Sequence, residues 1–237
     1  MTTRTRLKLI VAKDRAELRR VAAEILARKI QAAVSARGRC TIALSGGSTP
    51  GPVYQELGDS DLARKVPWSQ LEIYFADERA VPLDDPESNY RLVKETLLRS
   101  HPDLLGQVFR MPADAADRDQ AAKRYGRKLP DPLDLLVLGM GPDGHTASLF
   151  PNSPALDADP GQLVMLTEDP SGLNPHKRMT LTYAGVARAR LVIFTVAGEA
   201  KRRCMQAVVD GADLPAARVK AERILWLVDR AAAPEGY

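Results

Sequence analysis

CTIALSGGSTP, residues Cys40–Pro50, runs from an apolar segment directly into a turn of small residues and then a proline. Cys40–Leu44 is apolar without strict alternation, the pattern of a strand covered on both faces. Ser45–Thr49 reads as a turn, and Pro52–Leu57 as the helix it opens. The same succession recurs on either side. Further strands are expected at Arg6–Val11, Leu71–Phe75, Asp134–Leu138, Leu191–Val196 and Ile224–Val228. Helical patterns separate them at Asp14 to Ala36, Ser88–Ser100, Asp117–Leu129 and Glu199–Val209. Asp14 with Glu17 three residues on forms a helix start, and Gly38 a stop. Alternating strands and helices imply an α/β chain with a mostly parallel, Rossmann-like sheet flanked by helices on both faces. There is no repeat, low-complexity tract or linker, so residues 1–237 read as one domain.

Composition narrows the function classes. Thirty-four Lys and Arg against thirty Asp and Glu give a net charge of +4, without one long basic run. That balance suits an acidic small molecule and does not call for nucleic acid. Acids Asp131, Asp134, Asp143, Asp157, Asp159, Glu168 and Asp169 crowd one segment that has no Lys or Arg. Lys177, Arg178, Arg188, Arg190, Lys201, Arg202 and Arg203 crowd the next, so an anion belongs with the second. Two cysteines, Cys40 and Cys204, make neither a disulfide framework nor a zinc site. They read as reduced thiols. No apolar stretch approaches the roughly 20 residues of a membrane helix, and the amino terminus lacks a signal-peptide core. The expected setting is the cytoplasm.

Three motifs sit where strands stop. After Leu44, Ser45-Gly46-Gly47-Ser48-Thr49 lets main-chain N–H groups and two hydroxyls approach an anion beside a helix amino terminus. It matches neither a P-loop nor a dinucleotide fingerprint. After Phe75 come Asp77-Glu78-Arg79; Arg79 can fork onto a phosphate or carboxylate while a neighbouring acid holds it. After Leu138 comes Gly139-Met-Gly-Pro-Asp143-Gly-His145-Thr-Ala-Ser-Leu-Phe-Pro151, three glycines in six residues that expose a histidine. His145 is the general-base candidate, and Asp143 can orient it or stabilise its imidazolium. His101 reads as a capping or surface residue. No nucleophile elbow and no metal-ligand spacing are present.

Together these motifs resemble the 6-phosphogluconolactonase family. The resemblance runs through SGGSTP (45–50), DERAVPLDDPESNYRL (77–92), GMGPDGHTASLFP (139–151), RMTLT (178–182), GEAK (198–201) and ILWLVDRAA (224–232). It implies a single-domain fold related to sugar-phosphate isomerases and deaminases. It also implies hydrolysis of 6-phospho-D-glucono-1,5-lactone to 6-phosphogluconate in the oxidative pentose phosphate pathway, by a monomer with no cofactor and no metal. By the same resemblance His145 is the base and Arg79 faces the phosphate or lactone oxygens; with Asp143, read above as the partner of His145, they make the expected catalytic group. Ser45, Gly46, Gly47, Ser48, Thr49, Asp77, Arg178 and Lys201 are then the substrate and phosphate ligands. The family's proline-rich approach to the arginine is here Asn174-Pro-His-Lys177, which leaves Lys177 and Arg178 as alternatives.

The related glucosamine-6-phosphate deaminases share the phosphate loop and the Gly-x-Asp-Gly-His segment. Their pattern continues after the histidine into a carboxylate, where this chain has Thr146-Ala-Ser-Leu-Phe-Pro151 and no acid. A sugar-phosphate sensor on the same fold would have no need of His145. Lactone hydrolysis, which requires a base for water and donors for a developing oxyanion, accounts for all three motifs.

Overall fold

Asp14 accepts the Glu17 main-chain N–H at 2.8 Å and opens helix α1 (Arg15–Arg37), which ends where Gly38 takes φ of 75° and donates its N–H to Val34. Between those caps Leu18, Ala22, Ile25, Leu26, Ile30 and Ala33 form one buried stripe. The computed structural model describes residues 7–237. In chain order the remaining elements are β1 (Leu9–Ala12), β2 (Cys40–Leu44), α2 (Pro50–Asp59), β3 (Leu71–Phe75), β4 (Asp77–Arg79), α3 (Asn89–Thr96), α4 (Arg118–Lys128), β5 (Leu133–Leu138), β6 (Val164–Thr167), β7 (Arg178–Leu181), α5 (Tyr183–Ala187), β8 (Ala189–Val196), α6 (Arg202–Asp210) and β9 (Ile224–Asp229).

Six strands form a sheet in the order β1-β9-β8-β5-β2-β3, and every neighbouring pair is parallel. Each residue of β2 and β5 is buried, as expected of strands covered on both faces. Across β8 and β9, Phe194 and Trp226 are register partners whose rings stack 3.8 Å apart. Strands β2 and β3 have the expected bounds, and β5, β8 and β9 run one or two residues longer. The strand expected at Arg6–Val11 is Leu9–Ala12; Arg6 lies outside the described residues.

One feature goes beyond the expectations, and the bounds of helices α2 and α3 need correction. A second sheet, antiparallel in the order β4-β7-β6, accompanies the first. Its strands have three or four residues and mixed polarity, too short for a periodic signal. Helix α2 begins at Pro50 rather than Pro52, because a proline at the first helical position gives up an N–H that has no partner there anyway. Helix α3 stops at Thr96, and the chain continues as a 3-10 turn, Leu98–Ser100. His101 caps that turn as expected, its main-chain N–H donating to the Leu98 carbonyl at 3.0 Å, and its side chain is partly buried. Its ring stacks 4.0 Å from that of Trp68, and Nε2 lies 3.2 Å from the Gly58 carbonyl.

The order of strands positions the site. From β2 the chain first winds to β3 on one side and later returns to β5 on the other. The connections leaving β2 and β5 therefore diverge and open a crevice at the strands' carboxyl ends. Ala76 joins the two sheets there: its N–H donates to Leu44 of β2, and its carbonyl accepts from Leu181 of β7. At the opposite, amino ends of β2 and β5, buried Asp134 accepts the Thr41 N–H at 2.9 Å and pairs with Arg37 at 2.7 Å.

Candidate active site

The loop after β5 folds on itself. Gly141 donates its N–H to the His145 carbonyl at 2.8 Å, and Gly144, at φ of 84°, donates to Gly141. This brings His145 Nδ1 to 2.6 Å from Asp143 Oδ1, and the His145 main-chain N–H donates to the same oxygen at 3.2 Å. A side chain at Gly141 would occupy the space of the imidazole and the carboxylate, so glycine is required by the pair itself. With Nδ1–H directed at the carboxylate, Nε2 is the nitrogen left to accept a proton. Burial alone would raise the Asp143 pKa, but its bonds with His145 outweigh that and hold it below the ordinary carboxylate value.

His145 faces a cleft at the carboxyl ends of β2 and β5. Ser45, Gly46, Gly47, Ser48 and Thr49 line one side, with Asp77, Arg79, Arg178 and Lys201 completing it. Asp143 stands behind His145 and does not line the cleft. Lys177 is exposed outside it, whereas Arg178 lines it.

The cations are held by different means. Arg79 donates from Nη1 to the Glu87 carbonyl. Its acidic neighbour Glu78 does not clasp the guanidinium, as the sequence suggested. Glu78 accepts the main-chain N–H groups of Arg79, Asn89 and Tyr90 instead, which caps α3 with a buried carboxylate. Its pKa is raised by burial, against the pull of those donors. Arg178 is 6% exposed, sits 5.7 Å from the centre of the Phe150 ring and donates from Nε to the His176 carbonyl at 3.3 Å. Burial lowers its pKa; Asp77 opposes the shift, while nearby Arg79 adds to it. Burial likewise lowers that of Lys201, against the attraction of Asp143. Three cations in one cleft suit an anion of more than one charge.

Asp77 is engaged on both oxygens, by Ser148 Oγ at 2.6 Å and Asn89 Nδ2 at 3.1 Å. Four buried polar atoms of cleft residues have no hydrogen-bond partner among the described residues: Ser45 Oγ, Arg79 Nε, Asn89 Oδ1 and Thr195 Oγ1. Buried polar groups are almost always bonded, so such a concentration marks a place arranged for something other than the protein's own packing. Among the described residues no group of three or more His, Cys, Asp or Glu side chains is disposed to hold a metal ion.

A family model described as glucosamine-6-phosphate isomerases/6-phosphogluconolactonase matches residues 13–226. The chain belongs to this family. The 6-phosphogluconolactonase of Mycobacterium tuberculosis is 38% identical over 222 residues, 86% of this chain and 88% of that one. That of Synechocystis is 34% identical over 219 residues, with the same two shares. The 6-phosphogluconolactonase crystal structure from Thermotoga maritima superposes with a TM-score of 0.84 at 29% identity, covering 94% of this chain and all of that one.

Five of the six family-like stretches contribute cleft residues; the sixth, Ile224–Ala232, supplies β9 and lies away from the cleft. Sequence reasoning did not single out Asn89, Asn174 and Thr195, which also line it. Asn89 was visible only as part of the family-like stretch 77–92. Asn174 was visible only as part of the approach to Arg178, and Thr195 carried no motif signal at all. Among the described residues no helix is long and apolar enough to cross a membrane.

Proposed function

We propose that the chain is a 6-phosphogluconolactonase, hydrolysing 6-phospho-D-glucono-1,5-lactone to 6-phospho-D-gluconate. The observation that carries this reading is the His145–Asp143 pair facing a cleft that also presents Arg79, Arg178 and Lys201. Family membership supports the same reaction.

In this reading His145 Nε2 takes a proton from water as the oxygen adds to C1 of the lactone. Negative charge develops on the carbonyl oxygen, and a cation of the cleft, Arg79 or Lys201, stabilises it. The tetrahedral intermediate collapses by breaking the bond from C1 to the ring oxygen, which takes the proton back from the imidazolium. Asp143 acts through His145, fixing its tautomer and offsetting the positive charge it gains. The 6-phosphate is remote from C1, so its contacts with the Ser45–Thr49 loop and Arg178 hold the ring in register. No covalent intermediate is needed. We read the enzyme as one domain, monomeric and cytoplasmic. The two cysteines are unpaired, and among the described residues the exposed large apolar side chains, Ile10, Leu83, Leu105, Leu173 and Tyr237, come from five separate segments, which supports this.

The test generates the lactone in situ from glucose 6-phosphate and follows its loss above spontaneous hydrolysis. Purified protein accelerates that loss and releases no ammonia from glucosamine 6-phosphate. Ammonia release without lactone hydrolysis would reassign the chain to the deaminase branch.

A further inference from the structure

The charged side chains of the cleft offer a substrate donors rather than free acceptors. Arg79, Arg178 and Lys201 only donate, and both carboxylate oxygens of Asp77 are already bonded within the protein. A phosphorylated gluconolactone brings acceptors at its phosphate and carbonyl, but it also carries ring hydroxyls at C2, C3 and C4. These are donors and need acceptors of their own.

One acceptor comes from the loop that leads into β7. Buried Asp169 organises this loop with four hydrogen bonds, from the main-chain N–H and hydroxyl of Ser171 and from the main-chain N–H and Nδ2 of Asn174. The Nδ2 contact, at 2.8 Å, fixes which end of the Asn174 amide is which, so Oδ1 is the end without a protein partner among the described residues. Asn174 lines the cleft together with His145, Arg178 and Lys201. Unlike Asn89 Oδ1, which is buried against Gly46, Asn174 Oδ1 is not sealed inside the protein.

We propose that Asn174, oriented by Asp169, is a specificity-determining residue whose Oδ1 accepts a hydrogen bond from one ring hydroxyl of the sugar lactone. The inference rests on the lactonase reading and adds to it a sugar-hydroxyl contact. Asp169 is a positioning residue in this scheme: it touches no substrate and acts through the amide it holds.

The experiment measures kcat/KM for wild type, Asn174→Leu and Asp169→Asn on 6-phosphogluconolactone and on the 2-, 3- and 4-deoxy analogues, each made in situ from the matching sugar phosphate. Asn174→Leu keeps the side-chain bulk and removes the acceptor. On the full substrate it lowers kcat/KM about 3- to 10-fold, the size of one neutral hydrogen bond. On the one analogue that lacks the contacted hydroxyl, variant and wild type are equal. Asp169→Asn shows the same selective pattern at smaller amplitude. Equal losses on all four lactones, or none on any, overturn the proposal while leaving the lactonase reading intact. A wild type inactive on 6-phosphogluconolactone overturns both.

Discussion

Arg79 and Arg178 are register partners across β4 and β7, two guanidinium groups on one cross-strand pair. Like charges placed directly opposite weaken a sheet by a few tenths to about 1 kcal/mol. Both side chains line the cleft, so the repulsion is concentrated where a phosphate would relieve it. Inorganic phosphate or sulfate should therefore raise the melting temperature of the wild type in a concentration-dependent way. Arg178→Met should lose most of that response while melting, without anion, no lower than the wild type. Its affinity for 6-phosphogluconate, read by calorimetry, should fall roughly 10- to 150-fold, the value of one charge-assisted contact of about 1.5–3 kcal/mol. A lower melting point with unchanged affinity would make Arg178 a structural residue.

His145→Asn retains hydrogen bonding but cannot take a proton from water. Its kcat should drop by about 10²- to 10⁴-fold, the usual loss of a general base. Affinity for 6-phosphogluconate should change little, because Arg178 and the Ser45–Thr49 loop are untouched. Near wild-type turnover, after subtraction of spontaneous hydrolysis, would move the base elsewhere.

Gly141 tests the same chemistry without touching a titratable group. A methyl group there collides with the imidazole and the Asp143 carboxylate, so Gly141→Ala must separate the pair. We expect kcat to fall at least 10-fold with KM and circular dichroism little changed. A variant as fast as wild type would show that the contact between His145 and Asp143 is dispensable.

Asp169 governs an acid-sensitive step. Burial would raise its pKa, but bonds from Asn174 and Ser171 bring it down to about 2 from an ordinary value of 3.8. A depressed carboxylate stabilises the fold fully above its unfolded pKa and loses that contribution as pH falls through the folded one. The wild type should therefore lose stability between pH 4 and pH 2, and Asp169→Asn should lose less over the same interval, as followed by denaturant titration. Parallel curves would remove Asp169 from the account of acid sensitivity.

The parallel sheet was legible because its strands are apolar runs that each need cover on both faces, as Ile42 and Leu136 have. The cleft's loops were legible because glycine and hydroxyl clusters interrupt those runs at Leu44 and Leu138. What lay hidden depended on chain segments far apart in sequence. Asp77, Glu78 and Arg79 read as a charged strand end, but they form a strand of their own by pairing with Arg178–Thr180, about a hundred residues on. Glu78 looked like a partner for Arg79 because the two are adjacent, whereas its oxygens go to the N–H groups of a helix start eleven and twelve residues later. Thr195 lies next to the end of a buried strand and looks like any other core residue. Its place at the cleft follows only from the position of β8 beside β5.

The clasp of Arg37, Asp134 and Thr41 sits at the amino ends of the very strands whose carboxyl ends carry the cleft. Strands of five and six residues separate the two places by roughly 15 Å or more at about 3.3 Å per residue. Substitutions that far apart, with no shared partner, combine additively. A directed-evolution campaign can therefore harden this protein against heat by redesigning the clasp. Libraries aimed at new lactones can be run on the hardened background, with gains at one end carried unaltered to the other.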